Sequence, residues 1–168
     1  IAVANNLSGT TINLAGVHAR TGAAYSGATV YLWHCSAEGG YTLYSRGFTD
    51  QNYLRGVQAA DSAGSLTFNS VFPGCYDGRW PHMHYEVYPS LTAAGSASNR
   101  LLTSQIALPQ SDCETVYADA AKYPRSASNL GRLSLQSDMV FADSYQTEMG
   151  VLSGSPTSGY TMTFTISV

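Results

Sequence analysis

Tyr76-Asp77-Gly78-Arg79-Trp80-Pro81-His82-Met83-His84 sets a phenol, a guanidinium and two imidazoles within nine residues. His82 and His84 stand two apart. On an extended strand side chains alternate between faces, so both rings fall on the same face of a sheet. Two such rings can hold one metal ion, and the phenol of Tyr76 just upstream can ionise. Read this way, the stretch is a strand carrying a metal site, and the rest of the chain has to supply its neighbours.

Strand patterns do dominate outside it. Residues 10–19 carry Ile12 and Leu14 on one face. Residues 27–35 read Ala28-Thr29-Val30-Tyr31-Leu32-Trp33-His34-Cys35, rich in the β-branched and aromatic side chains that suit a pleated, half-buried surface. Residues 65–72 set Leu66, Phe68 and Ser70 against Thr67, Asn69 and Val71. Residues 82–88 and 101–108 follow the same style, and 159–168 place Tyr160, Met162, Phe164, Ile166 and Val168 on one side. Gly39-Gly40, Asp61 to Gly64, Pro73-Gly74 and Ser155-Pro156 punctuate these runs, and the Asp61 turn is short enough to close a hairpin. One helix is expected near 111–121: Ser111 and Glu114 have capping-box spacing, and Val116, Tyr117 and Ala120 would face inward. Short strands at regular spacing predict an all-β, two-sheet sandwich or a barrel, as one domain over 1–168.

Composition narrows the setting. Charged residues are 11% of the chain, the net charge is −3, and Lys122 is its lone lysine, so there is no basic footprint for nucleic acid or an anionic membrane. No apolar run approaches the ~18 residues of a membrane-spanning helix. A chain rich in Gly, Ser, Thr, Ala and Tyr and poor in charge has the look of a secreted protein. Cys35, Cys75 and Cys113 then suggest one disulfide and one leftover thiol, against the alternative of three buried thiols in a reducing compartment. The abrupt start at Ile1 raises the expectation that an upstream segment has been removed.

Ligand chemistry leaves three metals open at this point. A phenolate from Tyr76 is a hard anionic donor and favours Fe(III) over zinc. A zinc site would more naturally add Cys, Asp or a third His. Glu86 continues the alternation of His82 and His84, so a cupin-like His-His-Glu triad for Fe(II) or manganese is a second option. A third reading has no catalysis at all: a sandwich binding module in which the His-x-His is decoration.

The wider pattern discriminates. The chain reads Trp33-His34-x-x-x-x-Gly39-x-Tyr41, then Leu54-Arg55-Gly56-x-Gln58-x-x-Asp61-x-x-Gly64, then Phe68-x-Ser70-x-x-Pro73-Gly74-x-Tyr76-x-Gly78-Arg79-x-x-His82-x-His84. In order and spacing, from Gly27 to Val140, it resembles the intradiol ring-cleavage dioxygenases, especially their secreted single-domain branch. The resemblance implies a two-sheet β-sandwich catalytic core. It implies a non-haem Fe(III) held by Tyr41, Tyr76, His82 and His84, with solvent hydroxide completing the site. Tyr44 is the alternative to Tyr41. Tyr76 and His84 would be axial, Tyr41 and His82 equatorial, and Tyr76 would be the ligand that leaves when substrate binds. Arg79 matches a family arginine that lies against the substrate, and Gln105 resembles a glutamine near the same pocket. Glu86, His18 and His34 become structural residues.

The activity so implied is opening of a small aromatic diol by O2 between its two hydroxyl carbons, giving a cis,cis-muconate. Catechol, protocatechuate and lignin-derived catechols are all candidate substrates. Arg55 is a candidate second cation for a carboxylated ring, and Tyr44 and Tyr53 would line the mouth. Within this family reading a Cys75–Cys113 disulfide would restrain the Tyr76 loop and leave Cys35 as a thiol. The chain lacks the helical segment that dimerises the intracellular relatives, so a monomer is expected, with attachment to another module in the full-length protein left open.

Overall fold

The structure, a computed structural model, describes residues 7–168. The expectation about what precedes Ile1 lies outside these residues. Among the described residues, eight strands form two four-stranded sheets. The first has the order β4 (Ser65–Val71), β1 (Gly9–Val17), β8 (Gly159–Ser167), β7 (Val151–Ser155). The second has the order β3 (Arg55–Ala59), β2 (Thr29–Trp33), β5 (His82–Tyr88), β6 (Leu102–Ala107). All pairings are antiparallel except β1 with β8.

The core lies where the period-two patterns place it. Ile12 and Leu14 on β1, Leu66 and Phe68 on β4, and Met162 and Ile166 on β8 are buried from one side. Val30 and Leu32 on β2, Met83, Tyr85 and Val87 on β5, and Ile106 on β6 are buried from the other. All belong to one hydrophobic cluster. Each such side chain removed from water contributes about 1.5–3 kcal/mol. The alternate positions on the second sheet turn outward, and that outward face carries the site.

Two strands escape the sequence pattern. β3 reads Arg-Gly-Val-Gln-Ala and is half-buried to exposed, an edge strand without an apolar face. β7 is the edge of the other sheet and is likewise open to solvent. The Asp61 turn is tight, with the Asp61 carboxylate accepting from the Ala63 and Ser65 amides. It does not close a hairpin, because β3 and β4 belong to different sheets and the turn hands the chain from one layer to the other. Gly64, at φ +77°, has no room for a Cβ, which would sit 2.5 Å from the Gly16 carbonyl oxygen.

The expected helix is α1 (Gln110–Tyr117), shorter than 111–121 and begun one residue earlier. Pro109 occupies its cap and no side-chain capping bond forms, so the Ser111–Glu114 box is not used. Glu114 instead accepts from the Gln110 amide, and the Ser111 carbonyl accepts from Thr115. Val116 and Tyr117 are buried as expected, together with Cys113, whereas Ala120 lies beyond the helix and is exposed. Two further short helices, α2 (Ser126–Leu130) and α3 (Tyr145–Glu148), were not signalled by periodicity, being only one turn or so long.

No disulfide forms among the described residues: Cys35, Cys75 and Cys113 are free and buried. The Cys75 thiol faces the carbonyls of Tyr76 and Arg79 on its own loop, at 3.8 Å each. The loop is held by other means. The Cys75 amide donates to Ser126 Oγ at 2.9 Å, and its carbonyl accepts from Asn129 Nδ2 at 2.7 Å, both from α2. Tyr117 and Tyr123 donate their hydroxyls to the Pro73 and Phe72 carbonyls, each at 3.0 Å. Hydrogen bonds from α1, α2 and the turn between them thus do the restraining expected of a cross-link.

Candidate metal centre

Register builds the floor of the site. Arg55 pairs with Trp33, Trp33 with His84, and His84 with Gln105, so one row crosses β3, β2, β5 and β6 on the outward face. The Trp33 and His84 rings stack at 4.8 Å with 6° between their planes. Tyr31, one position back on the same face, stacks on Trp33 at 5.0 Å. His82 lies beside this row, further along β5.

Two loops bring the phenols over the histidines. After β2 the chain turns at 36–40, with the Gly39 amide donating to the Ser36 carbonyl and the Ser36 amide to the Gly40 carbonyl. This delivers Tyr41, whose amide donates to Ser45 Oγ at 2.9 Å. Tyr41 Oη lies 3.2 Å from His82 Nε2 and 3.1 Å from His84 Nε2. The loop anchored by α2 delivers Tyr76, whose Oη lies 3.3 Å from His82 Nε2. The two imidazole Nε2 atoms are 3.0 Å apart. Tyr44 is no rival to Tyr41: its ring is 66% exposed and lies under the Arg55 guanidinium, 4.5 Å from ring centre to Cζ.

The protonation pattern suits a cation. His82 donates Nδ1–H to the Trp80 carbonyl, which leaves Nε2 as a bare lone pair. Burial, with His84 and Arg79 adding to it, lowers the His82 pKa to about 3. Burial followed by Arg79 and Arg55 lowers that of His84 to about 4. Both rings are therefore neutral near pH 7. Burial raises the Tyr41 pKa well above the ordinary phenol value, and Cys35 and Tyr76 push the same way. Tyr76 is also raised, chiefly by burial, with Arg79 pulling against it. Two neutral phenols and a second imidazole, their donor atoms 3.0 to 3.3 Å from His82 Nε2, stand where the corners of a coordination polyhedron would lie. A bound trivalent cation would supply the field that ionises the phenols. The set fits a hard, high-charge ion. Among the described residues no group of three or more His, Cys, Asp and Glu gathers anywhere, so the donor set needs its tyrosines.

Glu86 shares the face of His82 and His84 but is committed elsewhere. Its carboxylate accepts from the Tyr88 hydroxyl and from Arg100, each at 2.6 Å. That removes the His-His-Glu arrangement. His34 is structural too, its Nδ1–H donating to the Cys35 carbonyl at 2.8 Å and its Nε2 accepting from Ser70 at 2.7 Å. His18 stacks on Tyr25 at the far end of β1.

Arg79 and Gln105 meet at the rim, with Arg79 Nη2 donating to Gln105 Oε1 at 2.7 Å. Arg55 is a brace. Its Nε and Nη2 donate to the Thr42 hydroxyl and carbonyl at 2.9 and 2.6 Å, and its Nη1 to the Tyr31 hydroxyl at 2.7 Å. It thereby ties the Tyr41 loop to the sheet. Sequence reasoning missed Asp138 and Phe141. Asp138 is 4% exposed and accepts from Arg79 Nε, and Phe141 is fully buried with its ring 6.1 Å from that of His82. Burial opposes ionisation of Asp138, but the Arg79 bond and the Trp80 and Val140 amides outweigh it and hold its pKa below the usual value. Their one signal in the sequence was a lone acid in the uncharged run between Arg132 and Asp143.

Comparison with known proteins bears on this geometry. A family model described as a dioxygenase matches residues 3–122, most of the chain. Among solved structures, an intradiol ring-cleavage dioxygenase from Tetranychus urticae superposes with a TM-score of 0.80 at 22% identity, covering 98% of this chain and 83% of that one. The catechol 1,2-dioxygenase of Acinetobacter sp. ADP1 superposes with a TM-score of 0.61 at 18% identity, and the chain covers 52% of its length. At such identities these likenesses establish the shared fold. The chlorocatechol 1,2-dioxygenase of Rhodococcus opacus is 33% identical over 57 residues, which are 34% of this chain and only 22% of that protein. Asp138 and Phe141 lie beyond the span the family model matches.

Proposed function

Because the chain belongs to the family of intradiol ring-cleavage dioxygenases, we propose that it opens catechols between their two hydroxyl carbons at an Fe(III) held by Tyr41, Tyr76, His82 and His84. The observation that carries this reading is the convergence of those four donor atoms from a sheet and two separate loops, the other three each within 3.0 to 3.3 Å of His82 Nε2. When bound, Fe(III) supplies Lewis acidity and a template for both oxygens of the diol.

The chain's own residues do the rest. Tyr76 Oη accepts a substrate hydroxyl proton as its phenolate gives up its place. A cleft of about 650 Å3, lined in part by Gly39, Phe48, Asn129 and Arg132, opens beside Tyr76 and gives its ring room to move. Tyr41, boxed between the histidines, stays. Arg79 directs positive charge at the oxygens of the opening ring, an electrostatic role that gains strength from partial burial. Gln105 accepts from Arg79 and keeps the guanidinium over the row that contains His84.

Arg55 bears on the substrate. Its Nε, Nη1 and Nη2 are all engaged with Thr42 and Tyr31, which makes it a poor partner for a ring carboxylate. Catechols without a ring carboxylate are therefore the first choice over protocatechuate. Low charge and a single lysine support an exported protein.

A substrate panel on the iron-loaded protein, read by oxygen uptake and muconate absorbance, tests the reading. Catechol consumed with one O2 per muconate supports it. An iron-replete protein that leaves every catechol intact rejects it.

A further inference from the structure

We propose that Asp138 is a positioning residue for the reaction: it holds Arg79 by the Nε edge of its guanidinium, so that the Nη edge is kept for Gln105 and the substrate. The inference rests on the dioxygenase reading for its consequence but on contacts of its own for its geometry.

The two carboxylate oxygens divide the work. Oδ1 accepts from the Val140 and Phe141 amides at 2.8 and 3.2 Å, closing the turn in which Asp138 itself lies. Oδ2 accepts from the Trp80 amide at 2.7 Å and from Arg79 Nε at 3.0 Å, with Oδ1 adding a longer 3.2 Å contact to the same Nε. Oδ1 therefore closes the acid's own turn while also touching Arg79, and Oδ2 reaches wholly into the run that leads to His82. Phe141, three residues on, sets its ring 5.8 Å from the Arg79 guanidinium carbon. The carboxylate grips an edge of the guanidinium while the ring lies against it.

Arginine side chains have many rotamers, and an arginine that must meet developing charge loses rate when it samples the wrong ones. Side-chain exposure is 13% for Arg79 and 1% for Asp138, so the pair is shielded from competing water. A charge-assisted bond there is directional and stronger than its exposed counterparts. With Nε on Asp138 and Nη2 on Gln105, two of the three nitrogens are fixed by partners from different parts of the chain, and Nη1 has no protein partner among the described residues. An orientation set at two points leaves the third nitrogen free to meet the substrate.

Asp138→Asn separates this role from turn closure. Asparagine keeps Oδ1 for the Val140 and Phe141 amides but turns an NH2 toward two donors, Arg79 Nε and the Trp80 amide. Asp138→Asn, Arg79→Gln and the double variant are compared for iron content, visible colour, kcat and KM with catechol. In parallel, the Arg79 Nε–H signal is followed by 15N NMR in protein loaded with diamagnetic Ga(III). We expect Asp138→Asn to keep its iron and colour and to lose kcat about 10-fold or more, with a smaller change in KM. The double variant should be no slower than Arg79→Gln alone, since the acid acts through the arginine. The Arg79 Nε–H should exchange slowly in the wild type and join the exposed arginines in Asp138→Asn. Turnover of Asp138→Asn within twofold of wild type, or additive losses in the double variant, overturns the proposal. So does fast exchange of that proton in the wild type, a result that needs no variant to fold. A wild type with slow exchange but no catechol turnover rejects the dioxygenase reading and retains the Asp138–Arg79 clamp.

Discussion

Gly39 packs against Tyr76 so closely that a Cβ on the glycine would lie 2.9 Å from Tyr76 Cβ. The two residues come from different loops, and Gly39 is two positions before Tyr41. The contact therefore sets the spacing between the two phenols. Gly39 also sits at φ +86°, a conformation that side-chain-bearing residues rarely adopt.

Gly39→Ala is predicted to destabilise the protein by about 1–3 kcal/mol and to push Tyr76 away from His82. Thermal unfolding measures the first effect. Iron content per chain measures the second, and a variant with unchanged iron content would show that the Tyr76 position tolerates the shift.

Tyr76→Phe should retain part of its iron, because Tyr41, His82 and His84 remain, but lose turnover by about 100-fold or more through loss of a proton acceptor. His84→Ala should lose iron itself. Metal analysis beside oxygen uptake distinguishes the two, and His84→Ala with full iron and full turnover would remove His84 from the ligand set.

Arg55→Lys keeps the charge but loses the planar fork that reaches Thr42 and Tyr31 together. The Tyr41 loop, which already carries left-handed leucines at Leu43 and Leu54, should loosen. Iron affinity is expected to fall about 10-fold, as is common when a residue behind a metal ligand is changed. A chelator competition assay reads this directly.

His34 links stability to pH. Burial lowers its pKa from 6.5 to about 4, with the bond to the Cys35 carbonyl opposing the shift. Between those values the unfolded chain holds the proton and the folded one does not. Stability is therefore full above about pH 6.5 and falls as the pH drops toward 4, by up to about 1.4 kcal/mol per pH unit and about 3 kcal/mol in all. Urea unfolding of the iron-free protein at several pH values should show the decline, and His34→Gln should flatten one proton's share of it. An equally steep decline in that variant would contradict this assignment.

Much of the site was legible because its chemistry sits in short-range spacing. His82 and His84 on one face follow from strand geometry alone, and both sheets' core strands follow from period-two apolar runs. Tyr41 was legible only through the family pattern, since nothing local separates it from Tyr44. The structure separates them by a turn that aims one ring inward and leaves the other under Arg55. The edge strands β3 and β7 carry no apolar face for a pattern to show. Asp138 was illegible for a different reason: its partner Arg79 is 59 residues away, and the turn that presents it has no periodicity. The Cys75–Cys113 bridge was expected from cysteine count within the secreted family reading, as a restraint on the Tyr76 loop, and Ser126 and Asn129 hold that loop through the Cys75 backbone instead.

At the proposed site Tyr41 and Tyr76 both bind Fe(III) as phenolates beside His82 and His84, an assignment with a visible signature. The visible spectrum of the iron-loaded protein tests it most directly. A red to burgundy protein is expected, with a tyrosinate-to-iron band that weakens in Tyr41→Phe and in Tyr76→Phe. A colourless wild type carrying one iron per chain would contradict it.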